Sequence, residues 1–316
     1  MNKLIILITL FCSVTLVAQN RINYSQYMHN QGVFNPAYFE INNQLVATTY
    51  LRKQWVGIQG APSTKSLVAG FTVKDKHNIN LNIYQDDITI YSDLSLGLGY
   101  NYRILINKNS LLSLGLKGDF GFFNSDYSSL EAQDLDDNIL IKNTSSQKYI
   151  NFGAGLFYQS TIFFTGISAP YLVNNSLIQS KNGLVDKNFE FNHIYFTMGG
   201  KFDLNNLSFT PTTLVKMVSG SPLQVEVNAN FLIKEKVWLS GGYRSNNAII
   251  LSVGYVILEN IKLVYSYDFV NFTSANYSSG SHEISIGYGL SFYKNKSFNK
   301  RRYFNKSGNY KKHKSF

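Results

Sequence analysis

The chain has 316 residues, 44% hydrophobic and only 15% charged, a length that suits one large barrel or two ordinary domains. Its single cysteine, Cys12, lies in an apolar leader, which excludes disulfides and thiolate chemistry from the remainder. The formal net charge of +10 is equally uneven: nine Lys or Arg and no acid stand from Lys294 onward, so the basic balance belongs to a tail and not to a nucleic-acid-binding face.

In chain order, Lys3 and the apolar run Leu4 to Val17 predict a signal peptide over 1–18, with cleavage near Ala18–Gln19. The run is too short for a comfortable transmembrane helix, and no other stretch approaches the ~20 apolar residues that one needs. Residues 19–43 are polar with scattered aromatics. A lumenal plug, a periplasmic arm and a lumenal lining all fit them.

From 44 to 293 the pattern has period two, the signature of strands with two unlike faces. Fourteen strands are predicted, at 44–52, 64–74, 79–85, 94–105, 111–123, 149–158, 161–169, 191–204, 207–218, 222–232, 236–243, 246–258, 260–268 and 282–293. Leu94, Leu96, Leu98, Tyr100 and Tyr102 alternate with Ser95, Gly97, Gly99, Asn101 and Arg103. Ile284, Ile286, Tyr288, Leu290 and Phe292 alternate with Glu283, Ser285, Gly287, Gly289 and Ser291. In the strand at 260–268, Val264 is the exception to the alternation. A soluble sandwich also alternates, but its outer face is rich in charge. Here the polar face is Gly, Ser, Asn and Thr, and Tyr and Phe gather near strand ends, as in a barrel with lipid outside, a wet lumen and aromatic girdles. The fold class predicted is therefore all-β, a transmembrane antiparallel barrel of about fourteen strands.

The connectors support this. Lys53–Ser63, Asp86–Asp93, Asn124–Gln147, Pro170–Glu190 and Val270–Ser281 are long, and the intervening ones short. Outer-membrane barrels place short turns on the periplasmic side and longer loops outward. Ser219–Ser221 and Arg244–Ser245 are short outward exceptions. The last strand, with Gly287, Leu290 and Phe292, resembles the terminal signal read by barrel-assembly machinery, although more than twenty residues follow it here. Those residues, 294–316, are predicted to be a basic, unstructured periplasmic tail. Its Lys300, Arg301, Arg302, Lys311 and Lys312 suit three roles: solubilising, binding a periplasmic partner, or meeting anionic lipid head groups.

No catalytic or metal centre is expected, and no cofactor. The five histidines are scattered without ligand spacing. Asp134, Asp136 and Asp137 share the longest loop but lack the glycine and terminal glutamate of a calcium loop. Ser281-His282-Glu283 has the composition of a catalytic set, yet adjacent strand residues point to opposite faces, so His282 and Glu283 should not meet.

Several ordered motifs remain. Ser25-Gln26-Tyr27-Met28 is followed by Asn35-Pro36-Ala37-Tyr38, then Arg52, Gln54-Trp55-Val56-Gly57 and Gly60-Ala61-Pro62-Ser63-Thr64, and finally Tyr277 to Ile284. Together these resemble the PorP/SprF family of type IX secretion system membrane proteins across the mature chain except the tail. Phe39-Glu40 departs from the family's small residues at that point. The resemblance implies an outer-membrane barrel that serves type IX secretion and, in some bacteria, gliding motility, by exporting or anchoring large adhesins through their C-terminal targeting domain. The partners it implies are outer-membrane lipid, such a secreted protein and other secretion subunits on the periplasmic side. Asn35, Pro36, Tyr38, Arg52, Trp55, Gly57, Gly60 and Pro62 are the candidate residues, with loop architecture and partner contact both open as their role. Proline fixes φ at Pro36 and glycine frees it at Gly57 and Gly60. The alternative function is a porin or small-molecule transporter, which an open lumen would favour and a lumen filled by 19–43 would not.

Overall fold

The structure is a computed structural model that describes residues 23–39, 45–73, 76–127, 144–175, 187–219, 221–245, 248–258, 260–270, 278–290, 302–304 and 310–312. Its strands are β1 (Leu45–Lys53), β2 (Ser63–Val73), β3 (His77–Ile88), β4 (Tyr91–Asn107), β5 (Ser110–Asp126), β6 (Thr144–Ser160), β7 (Phe163–Asn175) and β8 (Lys187–Gly200). A three-residue continuation of β8, β9 (Phe202–Leu204), precedes β10 (Leu207–Val218), β11 (Gln224–Ile233), β12 (Val237–Arg244), β13 (Ala248–Leu258), β14 (Ile261–Val270) and β15 (Ser281–Leu290). Each strand pairs antiparallel with its sequence neighbour, β8 with β10, and β1 closes on β15 from Leu45↔Leu290 to Lys53↔His282. Counting β8 and β9 as one stave, the barrel has fourteen, with no exposed sheet edge where it closes.

Burial inverts the pattern of a soluble protein. In β13 Ile249, Leu251, Val253, Tyr255, Ile257 and Leu258 are exposed, and Ser252 is buried together with Ile250 and Val256. In β4, Leu94, Leu96, Leu98 and Tyr100 face out while Ser95 and Asn101 face in. A continuous apolar outer surface in a protein of alternating strands is what a hydrocarbon surround demands, because the closed ladder leaves no backbone group to meet lipid. The break in alternation at Val264 is an apolar side chain turned inward, 1% exposed.

The structure departs from the expected boundaries on the outward side. Asp86–Asp93 is not a long connector: β3 and β4 are joined by a tight turn at 89–90, where Thr89 takes a positive φ of 53°. The connectors after β5 and β7 are also shorter than expected, because β5 runs to Asp126 and β7 to Asn175. β4, β5 and β6 each reach 17 residues, against ~9–11 needed to cross a bilayer. This side of the barrel therefore carries a wall that rises beyond the lipid. In the tail, Arg302–Phe304 pairs with Tyr310–Lys312 as β16 and β17, a separate two-stranded sheet in a stretch without strand periodicity. Residues 1–22, including the expected signal peptide, lie outside the described residues, as do Asp134, Asp136, Asp137, Phe292, Lys300 and Arg301.

The protein's apolar core is inside the barrel. Residues 23–39, with two single-turn 3-10 helices at Tyr27–His29 and Gln31–Val33, occupy the lumen. Tyr24, Tyr27 and Phe34 from this segment pack with Tyr50, Val68, Tyr195 and Leu214 from the wall. Lower down, Ala37 packs with Phe157 and Phe164.

Candidate functional site

The lumenal segment descends from the outward half of the barrel toward the periplasmic end, and polar side chains of the wall fasten it at every level. Near the top, Asn23 meets Lys216 of β10. At mid-height the Asn228 amide donates to the Tyr27 hydroxyl (3.1 Å), and the Thr197 hydroxyl donates to Gln31 Oε1 (3.0 Å). Near the bottom, Asn80 and Asn101 of β3 and β4 both donate to the Pro36 carbonyl, at 3.1 and 3.3 Å. A segment without regular structure must find partners for its backbone groups, and here the Asn- and Thr-rich inner face supplies them.

The strongest fastening is a buried charge node. Glu283 of β15, 0% exposed, accepts the backbone N–H of Ser25 (2.9 Å) and of Gln26 (3.0 Å) and the Arg52 Nη1 donor (3.0 Å). Arg52 Nη2 reaches Asp268 Oδ2 at 2.8 Å, and the Ser25 hydroxyl donates to the same oxygen at 2.7 Å. Arg244 extends the node, contacting Asp268 at 3.1 Å and Glu226 at 2.5 Å. Two guanidinium groups thus face three carboxylates, and two backbone N–H groups of the plug supply further donors. Desolvating charges is costly, and it is offset only where geometry and hydrogen bonding are nearly complete. The plug adds four donor contacts to this set, three from Ser25 and Gln26 to the carboxylates of Asp268 and Glu283 and one from the Gln26 amide to the Glu283 carbonyl, while among the described residues Arg52 Nε and Asp268 Oδ1 stay without a partner. Gln26 adds a side-chain bond to the Glu283 carbonyl (3.0 Å) and accepts from the Ser285 hydroxyl.

The second fastening is steric. Asn35-Pro36-Ala37 lies against Gly115 of β5, Gly155 of β6 and Gly166 of β7. A Cβ at Gly115 would overlap the Ala37 nitrogen and the Pro36 carbonyl carbon, and one at Gly155 would overlap Asn35 Oδ1. Gly115 and Gly155 are direct cross-strand partners. The three glycines form a flat saddle, in which Gly115 admits the Pro36-Ala37 backbone and Gly155 and Gly166 admit the Asn35 side chain. The Asn35 amide donates to the Leu156 carbonyl (3.2 Å), and its oxygen accepts the Ala37 N–H (2.9 Å). Tyr38 stands edge-on to Phe157, with ring centroids 5.2 Å apart.

The first outward loop is tied on both flanks. The Val56 N–H donates to the Gly280 carbonyl (2.8 Å), and the Ser279 N–H donates to the Val56 carbonyl (2.7 Å). On the other side Thr89 donates to the Gly60 carbonyl through its N–H (2.9 Å) and its hydroxyl (3.2 Å). Gly57 and Gly60 hold φ of 102° and 74°, and Pro62 is buried, its carbonyl accepting the Gln54 N–H (2.9 Å). Trp55 and Ile58 are left 42% and 39% exposed at the outward surface.

The motifs thus separate into two places. Asn35, Pro36, Tyr38 and Arg52 belong to the lumen; Trp55, Gly57, Gly60 and Pro62 build the outward loop. Arg52, which its sequence position groups with that loop, points inward from β1 and is 3% exposed. Glu283 and His282 face apart as expected, for His282 Nδ1 sits 2.7 Å from the Tyr265 hydroxyl on the outer face. Gly287 and Leu290 are ordinary β15 residues, Leu290 ending the closing ladder opposite Leu45. Sequence reasoning missed Ser25, Glu226, Arg244 and Asp268 as members of one node. The available signal was three charged residues, Glu226, Arg244 and Asp268, at lumen-facing positions of strands poor in charge. Among the described residues no cluster of His, Cys, Asp or Glu is arranged to hold a metal.

A closed barrel with an apolar outer band, a polar inner face and a lumenal plug defines an outer-membrane β-barrel protein. Among solved structures, the CymD monoaromatic hydrocarbon channel is similar over 83% of this chain and 93% of its own, at TM-score 0.51 and 11% identity. The Ralstonia pickettii toluene transporter TbuX is similar over 84% of this chain and 93% of its own, at TM-score 0.48 and 10% identity. At such identity the likeness to CymD shows the fold alone. No curated protein sequence matches the chain. The family model described as type IX secretion system membrane protein PorP/SprF matches residues 16–288, and the chain belongs to that family.

Proposed function

We propose that this type IX secretion outer-membrane component works by binding: it receives a secreted surface protein, such as an adhesin, through its C-terminal domain, and helps export or anchor it, serving gliding motility where the cell glides. The observation that carries the reading is the filled lumen. Residues 23–39 stand where a conducting path would run, and, among the described residues, two of the cavities beside them measure about 30 and 20 Å³, room for a water-sized molecule. A water-filled porin needs that space open. The outward loop with Trp55 and Ile58, braced by backbone bonds on both flanks, is a pre-organised surface suited to a protein partner. We assign the protein no catalytic step.

The test is deletion of the gene followed by quantitative proteomics of the cell surface and medium. The expected result is loss of one or a few surface proteins while general type IX secretion persists. An unchanged surface proteome would sink the proposal.

A further inference from the structure

The barrel is uneven in height. β1, β14 and β15 have 9, 10 and 10 residues, which matches the ~9–11 that cross a bilayer, whereas β4 to β6 rise above it. Where β15, β1 and β2 meet, the outward strand ends therefore stand at the level of the outer-leaflet head groups.

Three basic side chains share the outer face at this level. Lys53, the last residue of β1, continues the exposed row of Thr49 and Leu51. It lies directly opposite His282 on β15 and Ser63 on β2. Lys65 is two residues along β2 from Ser63, which makes it a diagonal neighbour of Lys53 at roughly 7–8 Å. Both lysines are exposed, and among the described residues neither ammonium has an ion pair or a hydrogen bond. His282 uses Nδ1 toward the Tyr265 hydroxyl (2.7 Å), which leaves Nε2 for a ligand.

Like charges held side by side on a sheet destabilise each other, so this cluster calls for an anion. The acid that the register sets on the same face, Asp87 opposite Ser63, is already engaged. It accepts the Gln85 amide (3.1 Å) and the Ser92 hydroxyl (2.6 Å). Toward the membrane the face turns apolar at once, with Leu51 and Ile284, themselves cross-strand partners, both exposed.

We infer that this corner of the barrel exterior binds a phosphorylated glycolipid of the outer leaflet. Its phosphate sits between Lys53, Lys65 and His282, and its acyl chains lie along Leu51 and Ile284. A lysine is a point charge that suits a phosphate, and basic residues at a membrane surface draw anionic head groups. An acidic protein would match the cations but not the apolar row beneath them, which faces hydrocarbon. A lysine that merely anchors a strand would meet any head group, so phosphate dependence separates the two roles.

The test uses the full-length barrel, purified and delipidated in mild detergent and titrated by native mass spectrometry. The probes are lipid A from the same cells and the same lipid A after phosphatase treatment. Wild type should bind the phosphorylated form more tightly, with about fivefold lost for each lysine removed. The double variant Lys53→Gln, Lys65→Gln should fall to the level of the phosphatase-treated lipid, and Lys53→Arg, Lys65→Arg should retain binding. Lys236→Gln, in the exposed turn between β11 and β12 at the periplasmic end, should bind as wild type does. The inference is overturned if wild type binds both lipids equally, a comparison that needs no variant to fold. It is equally overturned if the folded glutamine variant keeps wild-type affinity, or if Lys236→Gln loses as much.

Discussion

Arg52 is the residue on which the lumenal node turns. It bonds to two carboxylates from two different strands and to the Ser25 hydroxyl of the plug (2.6 Å). Removing one member of a buried charge set leaves the others desolvated without their partner, at a cost of about 3–5 kcal/mol. Arg52→Ala should therefore lower the unfolding temperature of the purified barrel, read by the shift of the heat-modifiable band on a semi-native gel. Arg52→Lys keeps the charge but loses the planar fork that spans Asp268 and Glu283, so it should fall between the two. An Arg52→Ala barrel as stable as wild type would mean that the node contributes nothing to holding the plug.

At the scale of elements, the plug is held by shape as well as charge, and β5 tests this cleanly. Gly115→Val puts a side chain where the Pro36-Ala37 backbone lies, and the inward half of the plug should lift. Hydrogen exchange of 34–39 would rise while the barrel ladder keeps its protection. Gly118→Val on the same strand is the control, because a Cβ there meets only the Phe152 ring at an ordinary 3.7 Å. Equal exchange in both variants would refute the saddle.

The strands were legible in the sequence wherever they cross lipid, because lipid on one face and water on the other enforce period two. Legibility ended above the bilayer: Asp86, Asp87 and Ser92 belong to strands with no lipid to face, so their polar run reads as loop. The plug's docking was illegible for another reason. Its partners, such as Glu283 for Ser25 and Asn80 for Pro36, lie far along the chain and follow no period. The motifs Ser25-Gln26, Arg52 and His282-Glu283 pointed to residues that matter, and only the closed barrel brings them together.

For the whole molecule, fourteen staves enclose more space than side chains alone must fill, yet fewer than the ~16–18 of water-filled porins. Here the difference is taken up by the chain's own residues 23–39. The result is a membrane-embedded scaffold whose usable surfaces are the outward loop, the tall wall over β4 to β6, and the periplasmic end. In the proposed role this scaffold binds protein and does not conduct. The most direct measurement is purification from the native outer membrane in mild detergent, with mass spectrometry of what accompanies the barrel and planar-bilayer recording of the same sample. The account predicts a co-purifying secreted protein with a C-terminal targeting domain, or secretion subunits, and silent bilayers. A lone barrel with steady conductance would contradict it.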